Sequence, residues 1–151
     1  FYSAEILRTC CDLATVVKLN EHELPEVHRL LGLPNIPPAL DGEVGVDRAA
    51  EDILAGFSLS ALALTRGRHG TVLYHSGQKS VGKPAEYPRG EHADSVGAGD
   101  ACTAGLIVGM LAQRSGQETV DLANQMGAFV ASQPGATPKL PKELVDRAQF
   151  A

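Results

Sequence analysis

The sequence lacks the features that define several common classes of protein. Its three cysteines include the adjacent pair Cys10 and Cys11, so neither a disulfide framework nor a Cys-x-x-Cys zinc site is predicted. No apolar run reaches membrane-spanning length, because the longest is interrupted by Gly105, Gly109 and Gln113. We therefore predict a reduced, cytoplasmic protein that has no membrane partner.

The sequence also has fewer basic than acidic residues, and it lacks two common nucleotide-binding motifs. The chain has 13 Lys and Arg against 18 Asp and Glu, a net charge of −5, and this balance argues against non-specific nucleic-acid binding. No Gly-Lys-Ser/Thr occurs, which excludes a P-loop NTPase. No Gly-x-Gly-x-x-Gly follows an early strand, which disfavours a Rossmann dehydrogenase.

Helical patterns alternate with short apolar runs along the 151 residues, which are enough for one domain with a core. This alternation predicts an α/β layered domain with a largely parallel sheet. Ser3 is the predicted N-cap of the first helix. The predicted helices cover 3–13, 21–32, 46–57, 98–114, 117–132 and 141–149, and the predicted strands cover 15–19, 59–64, 71–75 and short pieces near 80 and 85–87. Residues 33–45 are a connector, and 59–64 and 71–75 a hairpin-like pair.

The segment Asp94-Ser95-Val96-Gly97-Ala98-Gly99-Asp100 opens into a small-residue run of helical spacing. Glycines let backbone N–H groups converge, and a helix N-terminus adds partial positive charge, so this turn predicts an anion site. A carboxylate beside a bound anion is unfavourable unless it has a task, such as accepting a proton from a nucleophile. The alternative is a Gly-rich loop that only starts a helix.

Two earlier segments place polar groups next to predicted strands. Asn20 and Glu23 lie where a strand becomes a helix, and they form either a ligand site or a capping box. In Thr65-Arg66-Gly67-Arg68-His69-Gly70, the glycines Gly67 and Gly70 permit close backbone approach, and Thr65 offers a hydroxyl group. A hairpin with glycines for its turn is the alternative for this segment.

These three segments together resemble the ribokinase-like (PfkB-type) carbohydrate kinases. Residues 94–100 resemble the family's second signature, Asn20-x-x-Glu23 its Asn-x-x-Glu motif, and 65–70 its Thr-x-Gly-x-x-Gly nucleotide turn. The fructokinase-type branch is the most similar one. The resemblance implies a three-layer, ribokinase-like (Rossmann-like) α/β fold with a mostly parallel sheet, of which residues 1–151 form the C-terminal nucleotide-binding and catalytic part. The N-terminal half, with its sugar-contacting residues and small β lid, would be absent.

The resemblance also implies roles for individual residues. Asp100 would be the catalytic base for the sugar hydroxyl, and the backbone N–H groups of Gly97, Ala98 and Gly99 would stabilise charge on the transferring phosphoryl group. Glu23 would act on Mg²⁺ indirectly, through water. The residues implied to bind ATP are Asn20, Glu23, Thr65, Gly67, Gly70 and Asn124, of which Asn124 would line the adenine pocket or else be a solvated helix-surface residue.

A monovalent-cation site is the last implied feature, usually for K⁺ in this family. Asp94 would supply a carboxylate, whereas Lys139 stands where a small residue is common and would oppose a bound cation if it pointed inward. Cys102 replaces a residue that is often aromatic, and it is read as a small core residue. The backbone carbonyls implied as further ligands are those of Val96, Val130, Gln133 and Gly135.

The predicted function is ATP-dependent phosphorylation of a sugar hydroxyl, with fructose or a similar sugar as the acceptor. Alternative acceptors are 2-keto-3-deoxygluconate, ribose or a nucleoside. An alternative of another class is a noncatalytic nucleotide-binding fragment. The predicted partners are the sugar and ATP, with no nucleic acid, and the parent enzyme is a possible homodimer.

Overall fold

The structure is a computed structural model that describes residues 2–34 and 42–149. The chain divides into two compact units. Unit 1 comprises Phe1–Thr65 and Leu73–Lys79, and unit 2 comprises Arg66–Val72 and Ser80–Ala151. Within the described ranges, no helix is both long and apolar enough to cross a membrane.

Six α-helices and four strands make up the described part of the chain. The predicted helices are all present, although α3 begins four residues earlier than expected, and the end of the predicted connector, at 42–45, is helical. Ser3 caps α1 as predicted, since its Oγ accepts the N–H of Ile6 at 3.3 Å. The elements are α1 (Ala4–Leu13), β1 (Val16–Asn20), α2 (Glu23–Leu30), α3 (Gly42–Gly56), β2 (Ala61–Thr65), a 3₁₀ turn (Gly67–His69), β3 (Thr71–His75), β4 (Gln78–Val81), α4 (Ala98–Leu111), α5 (Gly116–Ala131) and α6 (Lys142–Arg147).

The four strands form one sheet in the order β1-β2-β3-β4. β1 and β2 are parallel, with Val16 opposite Ala61 and Asn20 opposite Thr65. Only residues 66–70 join β2 to β3, and two residues join β3 to β4. Parallel strands need a crossover of about a dozen residues or more, so these two connections make antiparallel neighbours. The sheet is therefore mixed, and the prediction of a largely parallel sheet is corrected on this point.

The predicted strand at 85–87 is wrong, whereas the one near residue 80 is confirmed as β4. Pro84 and Pro88 flank the failed segment, and proline has no N–H group to donate to a strand ladder. β3 and β4 are joined through Ser76 and Gly77, which have φ values of 52° and 72°. Two residues with positive φ fit a type I′ turn, the connection that matches strand twist in a tight hairpin.

Unit 1 has its core around β2, whose residues Ala61–Leu64 are almost completely buried. Leu24 and Leu31 from the α2 segment and Ile53 from α3 are also fully buried. The pattern is typical of a strand covered on both faces, which reads as a continuous apolar run. A buried His28 ring nitrogen lies 3.1 Å from an oxygen of Asp52, which links α2 to α3.

Unit 2 is built on the packing of α4 against α5 at glycines. A Cβ atom on Gly105 would lie 2.7 Å from the Cα atom of Ala123, and one on Gly109 would lie 2.7 Å from Oγ1 of Thr119. From the other helix, a Cβ on Gly127 would lie 3.0 Å from the carbonyl oxygen of Ala98. The two helices are thus closer than most side chains would allow, and interiors packed this tightly resist added volume.

We expect Gly105→Ala to destabilise the protein by about 1–3 kcal/mol, because its methyl group would overlap the Ala123 backbone. Helix propensity alone predicts the opposite sign, since alanine is favoured over glycine by about 1 kcal/mol. Gly99→Ala in the same helix is the matched control, because a Cβ there meets nothing within 4 Å. Urea-unfolding midpoints of the two variants should move in opposite directions, or only that of Gly105→Ala should fall. Equal shifts would contradict the proposed close packing.

Candidate functional site

In unit 1, Asn20 and Glu23 form reciprocal hydrogen bonds of the capping-box type in the turn that leads into α2, whose N-cap position is His22. Oδ1 of Asn20 accepts the N–H groups of His22 and Glu23, both at 2.9 Å. Oε2 of Glu23 accepts the N–H group of Asn20 at 2.8 Å. The capping geometry considered as an alternative is therefore present. Glu23 remains exposed, and its proposed effect on Mg²⁺ stays a prediction.

Thr65 joins this pair at the carboxyl ends of β1 and β2. It is the last residue of β2 and lies opposite Asn20 in the parallel ladder. Its Oγ1 donates to the carbonyl of Leu19 at 3.4 Å, and its own carbonyl accepts the N–H of Glu21 at 3.1 Å. The carboxyl ends of parallel strands are where open α/β sheets bind ligands. Unit 1 thus brings Asn20, Glu23 and Thr65 together at such an edge.

In unit 2, the turn at 66–70 is closed by backbone hydrogen bonds. Arg66 N–H donates to Gly70 O at 2.9 Å, and Gly70 N–H donates to Gly67 O at 3.1 Å. Gly67 and Gly70 have φ values of 51° and 80°, and the ψ of −160° at Gly70 is a conformation essentially reserved for glycine. The backbone conformation therefore requires glycine at Gly70 and favours it at Gly67.

Gly82 faces this turn and was missed by the sequence-based predictions. A Cβ on Gly70 would lie 2.5 Å from the carbonyl oxygen of Gly82, and a Cβ on Gly82 would lie 2.5 Å from Nδ2 of Asn124. Gly82 N–H also donates to Thr71 O at 2.8 Å. A glycine that directly follows a strand was the available signal, because such glycines mark the close approach of another backbone.

Asn124 lies in α5 and is 7% exposed. Its Nδ2 donates to the carbonyl of Lys83 at 2.8 Å. The alternative of a solvated surface residue is therefore wrong, because the chain at 82–83 covers this face of α5. Its predicted contact with adenine stays a prediction, and its amide donor already holds the backbone that follows β4.

The signature turn places its two glycines in different surroundings. Gly97, the N-cap of α4, has a φ of 77°, and a Cβ there would lie 2.5 Å from the carbonyl oxygen of Ala136. Gly99 is exposed, and a Cβ there would meet nothing within 4 Å. Packing therefore explains Gly97, whereas Gly99 leaves open space above the first turn of α4. Asp100 is exposed on that same turn.

A buried contact joins the two glycine-rich segments of unit 2. Oγ1 of Thr71, which directly follows the 66–70 turn, lies 3.4 Å from Sγ of Cys102 in α4. Both residues are buried, so the reading of Cys102 as a small core residue is confirmed. The contact brings the start of β3 next to the helical turn that follows Asp100.

Asp94 ties the loop before α4 to the loop after α5. Its Oδ1 accepts the N–H of Val96 at 2.9 Å, and its Oδ2 accepts the N–H of Gly135 at 3.0 Å. These bonds, first that from Gly135 and then that from Val96, hold the pKa of Asp94 below its usual value. The N–H of Asp94 donates in turn to Gln133 O at 3.2 Å. A charged carboxylate and several backbone carbonyls thus share one loop pair.

A second carbonyl implied as a cation ligand, like that of Gln133, already accepts a hydrogen bond. The carbonyl of Val130 lies at the end of α5 and already accepts the N–H of Gln133 at 3.1 Å. Lys139 is exposed. Among residues 2–34 and 42–149, no group of three or more His, Cys, Asp or Glu could hold a metal ion.

Comparisons with known proteins show which enzymes the chain is similar to. The fructokinase of Escherichia coli is 31% identical over 143 residues, which cover 89% of this chain and 41% of that protein. The nucleoside kinase of Burkholderia thailandensis, solved in complex with ADP-inosine, is 26% identical with a TM-score of 0.71, over 97% of this chain and 41% of its own. The 2-dehydro-3-deoxygluconokinase of Thermotoga maritima shares the fold, at 20% identity and a TM-score of 0.74, over 97% of this chain and 46% of its own.

The chain spans less than half of each of these proteins. Its α/β fold is that of the ribokinase family. The sequence profile described as pfkB family carbohydrate kinase matches residues 2–143, which is nearly the whole chain. The chain therefore belongs to the pfkB family of carbohydrate kinases.

Proposed function

We propose that this chain is the nucleotide-binding and phosphoryl-transferring part of an ATP-dependent sugar kinase that phosphorylates fructose or a similar sugar. Because the chain spans about two fifths of the E. coli fructokinase (41%), the activity is proposed for the protein that contains this chain. The observation that carries the proposal is the start of α4, where exposed Asp100 and the open space at Gly99 share one helical turn in a member of this family.

Phosphoryl transfer requires positioning and charge stabilisation rather than covalent work by the protein. In the proposed reaction, the sugar hydroxyl oxygen attacks the γ-phosphorus atom of ATP, the bond to the β-phosphate oxygen breaks, and ADP leaves. Asp100 accepts the hydroxyl proton. The backbone N–H groups at Gly97, Ala98 and Gly99, at the positive end of α4, stabilise negative charge on the transferring group, although that of Ala98 also donates to Ser95 O at 3.2 Å.

Within unit 2, the nucleotide is assigned to the 66–70 turn, where Gly67 leaves open space beside the backbone and Gly70 packs against Gly82. Within unit 1, Thr65 is assigned to the nucleotide because it offers a hydroxyl group at the end of β2. Asn124 supports the nucleotide site through the backbone at Lys83 that it holds. Mg²⁺, when bound with ATP, screens the charge of the phosphates. Asn20 and Glu23 are the side chains assigned to influence it through water.

A monovalent cation, K⁺ in the first place, is assigned to the loops that Asp94 joins. The lowered pKa keeps this carboxylate charged at neutral pH, which suits a cation ligand. Exposed Lys139 need not oppose the bound ion. The backbone carbonyls proposed as further ligands are those of Val96, Val130, Gln133 and Gly135.

One specific observation favours a second candidate for the phosphoryl acceptor. The B. thailandensis nucleoside kinase, at 26% identity, favours a nucleoside as the second candidate acceptor. Ribose and 2-keto-3-deoxygluconate remain alternative acceptors. A nucleotide-binding module without turnover is the alternative of another class. We also propose that residues 1–151 form one C-terminal nucleotide-binding and catalytic part of a kinase domain. The parent enzyme is proposed to be a homodimer located in the cytoplasm.

We expect Asp100→Asn in the full-length parent to leave MgATP affinity nearly unchanged while lowering turnover by about 10²–10⁴, as for loss of a general base. The measurement is ADP release with fructose, ribose, 2-keto-3-deoxygluconate and a nucleoside as acceptors, beside MgATP titrations. Equal losses of affinity and turnover would make Asp100 a structural residue. Nucleotide binding by the wild type without turnover on any acceptor would favour the noncatalytic module.

Gly99→Ala should lower turnover by about tenfold or more, because its methyl group would enter the space proposed for the phosphoryl group. The same variant should fold at least as stably as the wild type, since that space holds no protein atom within 4 Å. Ala104→Ser, which also adds one atom at an exposed position of α4, is the control and should keep full activity. Unchanged turnover of Gly99→Ala would argue against an anion site at this turn.

Asp94→Asn should raise the K⁺ concentration for half-maximal activity by about tenfold, because a carboxylate ligand to the cation is lost. It should also change the acid dependence of folding. The folded-state pKa of Asp94 is lowered, so its stabilising bonds are complete above the unfolded value of about 3.9 and are lost as pH falls through the lower folded value. The thermal midpoint of Asp94→Asn should therefore fall less than that of the wild type between pH 7 and pH 2, because the variant has no Asp94 carboxylate to protonate. An unchanged K⁺ requirement would remove Asp94 from the cation site.

A further inference from the structure

Arg66 begins the 66–70 turn with a buried donor that the protein does not use. Its Nε is buried and, within the described residues, has no hydrogen-bond partner. Nη2 of the same guanidinium donates to the carbonyl of His69 at 3.3 Å. The residue as a whole is partly exposed, although the Nε atom itself is buried. Unpaired buried donors are costly and uncommon, and each one calls for an explanation.

The backbone of Arg66 is held on both sides. Its N–H donates to Gly70 O at 2.9 Å, and its carbonyl accepts the N–H of His69 at 2.9 Å. The stem of the side chain therefore starts from a fixed point. Nε–H and an Nη2–H lie along one edge of the planar guanidinium and form a fork that matches two oxygens of a phosphate or a carboxylate. Of these two donors, only Nη2 makes a hydrogen bond, the long one to the carbonyl of His69.

The surroundings favour an anionic ligand over a protein group. The chain has a net charge of −5, yet this turn carries both Arg66 and Arg68 within a few residues. Gly67 has no Cβ atom, and the space beside it holds no protein atom within 4 Å that would keep a ligand away from the backbone. Arg68 is different, because it is exposed and its Nε donates to the ring of its neighbour His69 at 3.4 Å. Of the two arginines, Arg66 is the one with a buried donor that has no hydrogen-bond partner among the described residues.

We infer that Arg66 is a phosphate-positioning residue of the nucleotide site, whose guanidinium donates from Nε to a non-bridging phosphate oxygen of the bound nucleotide. The inference rests on the proposed function, since that function supplies the nucleotide. It adds a charged side chain to a turn whose assigned contacts are glycine backbone and one hydroxyl group. Arg68 contributes only to the general positive charge of the turn.

The test is isothermal titration of MgADP and of adenosine into the full chain and its variants Arg66→Gln, Arg66→Lys and Arg68→Gln. Arg66→Gln should weaken MgADP binding by about 10- to 100-fold, the loss expected for a charge-assisted hydrogen bond, and Arg68→Gln by less than about threefold. Adenosine, which has no phosphate, should bind equally well to all four proteins. Arg66→Lys keeps the charge without the planar fork, and it should lose at least about fivefold for MgADP.

Several outcomes would overturn the inference. Equal losses for Arg66→Gln and Arg68→Gln would mean that only diffuse charge matters, and a parallel loss of adenosine binding would mean that Arg66 merely holds the turn together. If circular dichroism shows that Arg66→Gln is unfolded, Arg66→Lys becomes the test variant. Wild-type affinity of Arg66→Lys for MgADP would then contradict the inference. Failure of the wild type to bind MgADP would overturn the proposed function and the inference with it, whereas binding unaffected by Arg66 would overturn the inference alone.

Discussion

In unit 2, separate stretches of backbone approach each other at glycines where a side chain would not fit. Gly70 faces Gly82, Gly97 faces Ala136, and Gly105 faces Ala123, each at a separation that a Cβ atom would bring below 3.0 Å. These approaches put the 66–70 turn, the chain after β4 and the start of α4 in fixed places. The features that make this part of the chain suitable for phosphates therefore follow from its packing. Gly99 is the exception, because no protein atom explains it.

Several polar groups assigned to ligands also hold the protein together. Asn20 and Glu23 hydrogen-bond to each other in the turn that leads into α2, Asp94 joins two loops, and Asn124 holds the backbone at Lys83. The structural and functional interpretations of such groups do not exclude each other. A carboxylate fixed by backbone N–H groups stays charged and correctly oriented, and a site gains when its side chains are positioned before the ligand arrives.

An acidic protein that binds a polyanion needs local positive charge. Here the net charge is −5, so long-range attraction does not favour a nucleotide. In the proposed function, backbone N–H groups at the start of α4 and the two arginines in the 66–70 turn supply this charge over short distances, where screening by salt is weak. Affinity in this arrangement depends on geometry more than on overall charge, which is consistent with so many glycines at defined conformations.

Local patterns in the sequence were sufficient for the helices, the capping of α1 by Ser3 and the family, because periodicity, caps and short motifs depend on neighbouring residues. The same patterns failed where distant segments meet. The burial of Asn124, the partner that approaches Gly82 and the contact of Thr71 with Cys102 were decided by tertiary structure. Each of these depends on which surface of α4 or α5 is covered by chain far away in the sequence, and no local spacing carries that information.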